Sequence, residues 1–228
     1  SEMCIRDSRK VHRQMAKRRV LITCADRYMG PAIQKKFQNL DFDVIAGPSP
    51  MIAENQVAEA VDAAGHIDVL VANFAHPPVT GALEQLKSDD WMTLFDELVH
   101  PLMYAVRATV PQMLERASGK IIAITSAAPL RGIPNNSAYC AARGAQNSFI
   151  KAVGLELARS NIQVNAIAQN YINNDTYYPD DLLKDEKFIN HLKRNVPTRK
   201  IGSSEETAEL AAYLANEKSN HMVGQILP

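Results

Sequence analysis

Ser126, Tyr139 and Arg143 are the residues of this chain whose types and spacing best suit catalysis. Tyr139 and Arg143 stand four residues apart, so on a helix their side chains share one face. A guanidinium beside a phenol favours the phenolate over the neutral form, whose unperturbed pKa is about 10. A tyrosine so placed becomes a usable base near neutral pH. Ser126 precedes Tyr139 by thirteen residues, and a hydroxyl at a neighbouring strand end binds a substrate oxygen and holds it towards the phenol. By itself, a tyrosine followed one turn later by an arginine is more often a surface contact on a helix. The serine at a strand end is what turns the pair into a site.

The elements that must position these residues alternate along the chain. Short apolar runs predict strands at Arg19 to Thr23, Phe42 to Ala46, Asp68 to Asn73, Lys120 to Thr125, Ile162 to Ala168 and Val223 to Leu227. Helical spacing falls between them: Pro31 to Leu40, Glu54 to Ala64, a long stretch from Ser88 to Glu115 bent near Pro101 and closed by Gly119, and Tyr139 to Arg159. Two more helices are expected, near Pro179 to Asn195 and Ser204 to Asn216. This pattern indicates an α/β fold: a Rossmann-like, doubly wound parallel sheet in a three-layer sandwich. In such sheets ligands gather at the carboxyl ends of the strands, and Ser126 stands at one of them.

The totals exclude several functional classes. Lys plus Arg and Asp plus Glu both number 25, so no net field recommends nucleic acid or a membrane surface as a partner. The three cysteines are scattered and form no CxxC pair, so neither a metal site nor a disulfide framework is expected. No apolar stretch reaches the roughly 20 residues needed to cross a bilayer, and a cytoplasmic location is the expectation. Residues 1–18 read as a basic, disordered or non-native leader. Residues 19–228 read as one catalytic domain, shortened at its carboxyl end.

From Arg19 onward the chain resembles the short-chain dehydrogenase/reductase superfamily, whose usual pattern is a serine followed by Tyr-x-x-x-Lys. Three departures narrow the resemblance. Arg143 replaces the lysine, which in the dehydrogenases also holds the nicotinamide ribose. The first turn reads Thr23-Cys24-Ala25-Asp26-Arg27-Tyr28-Met29-Gly30, where dehydrogenases carry T-G-x-x-x-G-x-G so that backbone amides approach a pyrophosphate. To this second departure belongs the lack of an acidic residue after the second strand to grip an adenosine ribose. Lastly, Gln169-Asn170-Tyr171-Ile172 stands where dehydrogenases commonly place Pro-Gly against the nicotinamide. All three departures match the halohydrin dehalogenases, with T-x-x-x-x-[FY]-x-G, then Ser, then Tyr-x-x-x-Arg.

That resemblance implies a carbon–halide lyase that uses no nucleotide cofactor and no metal. Ser126 and Tyr139 would bind the hydroxyl of a vicinal haloalcohol, Tyr139 would take its proton, and the alkoxide would close an epoxide while expelling halide. The reverse reaction, epoxide opening by small anions, follows. The halide site implied is Tyr28 as an aromatic wall with Gln169, Asn170, Tyr171 and Ile172, their backbone N–H groups facing the anion. Tyr178 is the candidate for a second wall. Phe74, just past the third strand, either lines the substrate pocket or packs in the core. Partners are a small haloalcohol or epoxide and a halide ion, with a homotetramer or dimer expected from the apolar helices around Trp91 to Met113 and Ala142 to Leu157. Two alternatives stay open: an NAD(P)-dependent short-chain dehydrogenase/reductase with a divergent glycine turn, and a non-catalytic scaffold of the same ancestry.

Overall fold

The computed structural model describes residues 17–228. The expected leader therefore lies outside the described residues, apart from Lys17 and Arg18; Arg18 donates from Nη1 to the Ala215 carbonyl at 2.8 Å.

Six strands form one parallel sheet in the order β2-β1-β3-β4-β5-β6. They are β1 (Arg19–Ile22), β2 (Asp43–Ala46), β3 (Val69–Ala72), β4 (Gly119–Ser126), β5 (Ile162–Gln169) and β6 (Ile226–Leu227). The chain leaves β1 for β2 on one side and returns with β3 on the other, which opens a crevice at the strands' carboxyl ends.

Side chains of these strands point alternately to two cores. On one face α2 (Glu54–Ala64), α4 (His100–Glu115) and α6 (Ser137–Leu157) bury Val57, Val61, Leu102, Val106 and Ile150 against Leu21, Leu70, Ile121 and Val164. On the other, α1 (Gly30–Asn39) and α9 (Ser204–Ala215) bury Ile33, Phe37, Ala211 and Leu214 against Val20, Ile22, Val71 and Ile122. Each fully buried aliphatic or aromatic side chain of this kind contributes roughly 1.5–3 kcal/mol of transfer free energy. Two faces covered by helices explain why the strands read as continuous apolar runs rather than alternating ones.

Three expectations are corrected. The long helical stretch is α3 (Ser88–Leu94), a π-helical turn (Phe95–Val99) and α4. The irregularity thus comes a turn before Pro101, where the His100 amide reaches back five residues to the Phe95 carbonyl; Pro101, lacking an N–H, sits where α4 needs none. Gly119 does not close α4 but opens β4, and Ala117, with φ 49°, makes the left-handed turn out of the helix. The helix expected from Pro179 to Asn195 is two, α7 (Asp180–Lys184) and α8 (Glu186–Asn195). Asp185 breaks it by going extended and accepting the Lys187 amide on its carboxylate at 2.6 Å. A short helix, α5 (Ala128–Arg131), directly after β4 was not expected.

Close packing fixes α6 against the sheet. A Cβ on Gly154 would lie 2.5 Å from the Gly224 nitrogen and 2.8 Å from the Val164 carbonyl oxygen. The helix therefore approaches the β5–β6 side at a distance only glycine permits, and this sets the position of the residues on its first turns.

Candidate active site

The carboxyl ends of β4 and β5 are held in register, with Ser126 opposite Gln169. Ser126 is buried, and Asn147 of α6 clamps its carbonyl at 3.1 Å. Its hydroxyl accepts the Ala128 amide at 3.1 Å, which α5 presents to it. One hydrogen and one lone pair of the hydroxyl stay free for a ligand. On the first two turns of α6, Tyr139 and Arg143 sit on the helix's inward face.

Arg143 has no solvent exposure, and its donors are nearly all committed. Nε donates to the Tyr139 oxygen at 3.1 Å, Nη1 to the Phe74 carbonyl at 3.1 Å and to Gln146 Oε1 at 2.8 Å, and Nη2 to the Tyr177 oxygen at 2.5 Å. Gln146 is itself anchored, donating to the Leu98 carbonyl of the π-turn at 2.6 Å. Among the described residues the ion pairs join other cations, and no carboxylate pairs with Arg143. Burial alone would favour loss of its charge, yet the phenols of Tyr139, Tyr177 and Tyr28 outweigh that and push its pKa up. A buried cation whose neighbours are phenols rather than carboxylates draws one of those phenols towards its anion.

A cavity of about 450 Å³ opens on Ser126 and Tyr139. Tyr28, Gln169, Asn170, Tyr171, Ile172 and Tyr178 all line it, so the structure brings these six expected residues together with the Ser126 and Tyr139 pair. Tyr28 takes a left-handed backbone (φ 54°) and sends its hydroxyl to Gln169 Oε1 at 2.5 Å. The amide nitrogen of Gln169 is fixed by Thr207 at 2.6 Å. Burial pushes the Tyr28 phenol well up, so it remains a neutral donor. Tyr171 also has positive φ, 54°, and its carbonyl accepts from Gly202 at 2.8 Å, which bends the chain after β5 around the cavity. Among the described residues, no backbone acceptor takes the amides of Tyr171 and Ile172.

Phe74 is corrected. Its side chain is buried in the core beneath the sheet ends and does not line the cavity; only its carbonyl serves the site, through Arg143. The residue that sequence reasoning missed is Tyr177, next to the expected Tyr178. Tyr177 contacts Tyr139, Arg143 and the His76 carbonyl, whereas Tyr178 packs against Phe188, 5.6 Å between ring centres, farther along the cavity wall. Asn174 sets that choice by accepting the Tyr177 amide at 2.9 Å. An Asn-initiated turn three residues upstream was the available signal.

The turn after β1 spends several of its own backbone donors. The amides of Thr23, Ala25, Arg27 and Gly30 are spent on Val71, Gly47, Cys24 and Arg27 carbonyls. Beyond β2, Ser49 binds Asp26, and Met51 is buried in the core against Gly47. Gly30 survives for a local reason, since a Cβ there would lie 2.3 Å from the Ala25 carbonyl oxygen.

A family model described as enoyl-(acyl carrier protein) reductase matches residues 32–228. The chain belongs to the short-chain dehydrogenase/reductase family. Within this family it is 30% identical over 172 residues to dehydrogenase/reductase SDR family member 4 of Bos taurus, covering 75% of this chain. The chain spans 61% of that relative's length. Among solved structures it is similar to a dehalogenation enzyme, at 28% identity and TM-score 0.86, over 93% of this chain and 96% of that one. It also superposes on halohydrin dehalogenase (HheC) bound to ethyl (2S)-oxiran-2-ylacetate, with TM-score 0.85, 22% identity and coverage of 92% and 94%; that likeness speaks for the short-chain dehydrogenase/reductase fold alone. Among the described residues, no helix is long and apolar enough to cross a membrane.

Proposed function

We propose that this protein is a halohydrin dehalogenase, which converts vicinal haloalcohols to epoxides and halide without a nucleotide. One observation carries the reading: the Tyr28–Gln169 bridge at 2.5 Å, buried beside Ser126 and Tyr139. It joins the turn where family reductases hold the pyrophosphate to the strand end where they hold the nicotinamide. The similarity to a dehalogenation enzyme at 28% identity supports the same reading.

Ser126 donates to the substrate oxygen while Tyr139, as phenolate beside Arg143, takes its proton. The alkoxide oxygen attacks the adjacent carbon as the carbon–halogen bond breaks, its electron pair leaving with the halide. Nucleophile and leaving group belong to one molecule, so alignment does most of the work. The amides of Tyr171 and Ile172, within a wall built by Tyr28 and Gln169, receive the developing negative charge. The reverse reaction, epoxide opening by a small anion, uses the same groups, with Tyr139 returning the proton.

The alternative is an NAD(P)-dependent reductase. It rests on the family model and on the relative from Bos taurus. Halide release from a simple chloro- or bromo-alcohol, without nucleotide and against Tyr139→Phe, separates the two. Release that disappears in the variant supports the dehalogenase. Silence with haloalcohols, together with saturable binding of NADH or NADPH, supports the reductase instead.

A further inference from the structure

Arg143 makes its shortest contact in the site with Tyr177, at 2.5 Å, and not with Tyr139, at 3.1 Å. The Tyr177 hydroxyl donates to the His76 carbonyl at 2.9 Å, and its oxygen faces the Tyr139 hydroxyl at 3.3 Å. Its ring packs between those of Tyr28, at 5.3 Å, and Tyr139, at 6.3 Å. Tyr177 comes from the loop after β5, whereas Tyr139 and Arg143 come from α6, so the contact ties two separate elements at the reacting oxygen.

We infer that Tyr177 is a positioning residue: its hydroxyl fixes the far side of the Arg143 guanidinium and pairs with the Tyr139 hydroxyl, accepting its hydrogen while Tyr139 is neutral. This inference rests on the dehalogenase reading for its chemistry but not for its geometry. With Nη2 held by Tyr177 and Nη1 by Gln146 and Phe74, the planar guanidinium has a single orientation, in which Nε points at Tyr139. When Tyr139 is neutral, its hydrogen rests on Tyr177 and a lone pair remains for the substrate hydroxyl. When Tyr139 is ionised, Tyr177 turns its own hydrogen from His76 to the phenolate. A charge-assisted bond is stronger than a neutral one, so the hydroxyl favours the ionised state on balance.

The charged and titratable groups around Tyr139 are few. They are Arg143 on its own helix, Tyr177 and Tyr178 from the loop after β5, and Tyr28 from the turn after β1, with Arg131, Tyr171 and His191 farther along the cavity wall. Burial pushes Tyr28, Tyr177 and Tyr178 well up, so these three stay protonated around neutral pH.

Tyr177→Phe removes one oxygen and keeps the ring, and Tyr177→Leu removes both. Tyrosinate absorbance is titrated in the whole chain and in each variant, with Tyr139→Phe subtracted to isolate the Tyr139 signal. The pH dependence of halide release is followed in parallel. The inference expects the Tyr139 onset to move up by about one pH unit in Tyr177→Phe, with a similar shift in Tyr177→Leu. An unchanged onset in Tyr177→Phe, or a shift only when the ring is lost, overturns it. If the wild-type chain releases no halide, the dehalogenase reading falls, yet the absorbance titration still decides the role of Tyr177.

Discussion

The Tyr28 hydroxyl, from the turn after β1, meets the Gln169 side chain at the end of β5 across 2.5 Å of buried space. Gln169 passes the constraint on to Thr207 of α9, so one hydrogen-bonded chain runs along the strand ends from the turn after β1 through β5 to α9, on the face that α1 and α9 cover. Tyr28→Phe keeps the aromatic wall but strands Gln169 Oε1. Leaving a buried acceptor unsatisfied costs about 1–3 kcal/mol. Denaturant unfolding should show that loss.

Tyr139→Phe should lower halide release by roughly 100- to 10,000-fold, the usual contribution of a positioned base. Folding should be preserved, because the Arg143 donor bonded to that oxygen is one of several. Steady-state halide assays and circular dichroism together check both parts.

Arg143→Lys should be severe although the charge is kept. An ammonium cannot reach the Phe74 carbonyl, Gln146, Tyr177 and Tyr139 at once from a fork geometry it lacks. We expect a loss of about 3 kcal/mol in unfolding free energy and activity no better than that of Tyr139→Phe.

Lys120 gives the chain an alkaline stability signature. Burial, and then the nearby Arg18 charge, push its pKa down to about 8, while its ammonium donates to Asn220 at 2.6 Å. Below about pH 8 the group is charged in both states, and the folded chain carries the whole cost. Between about 8 and the ordinary lysine value near 10.5, the unfolded chain holds a proton that the folded chain has lost. Stability should therefore rise with pH across that window. Unfolding curves of the wild-type chain and Lys120→Gln at several pH values test this, and the variant should lose the slope.

Gly154→Ala should destabilise by about 1–3 kcal/mol, because its new methyl meets backbone atoms that cannot yield as a side chain does. Thermal unfolding reports it directly.

Much of this was legible in the residues. The apolar runs foretold every strand of the sheet, because strands buried on both faces carry an unbroken signal. Glu54–Ala64 was legible to the residue, since its apolar spacing stands between a proline-rich loop and a glycine. Tyr139 and Arg143 share a helix face by periodicity alone, and their 3.1 Å contact follows. Phe74 was not legible, because the position after a strand end suits core and cavity equally and only the packing of α4 and α6 decides. Tyr177 was hidden by its neighbour: two adjacent tyrosines differ only in direction, and that direction comes from Asn174 and from a guanidinium on another element. The break between α7 and α8 depended on one side chain capping locally, which periodicity does not report.

The π-helical turn at Phe95–Val99 has a consequence for the evolution of this site. Such a turn holds one residue more than an α-helix would in the same length. The extra residue places the Leu98 carbonyl where Gln146 takes it, 48 positions along the chain, and Gln146 in turn steadies Arg143. Deleting one residue there would rewind the helix into regular register, swing that carbonyl away and leave the guanidinium slack. A length change of one amino acid in a helix with no catalytic side chain would thus detune the base, so indels in that segment carry functional weight that substitutions on its outer face do not.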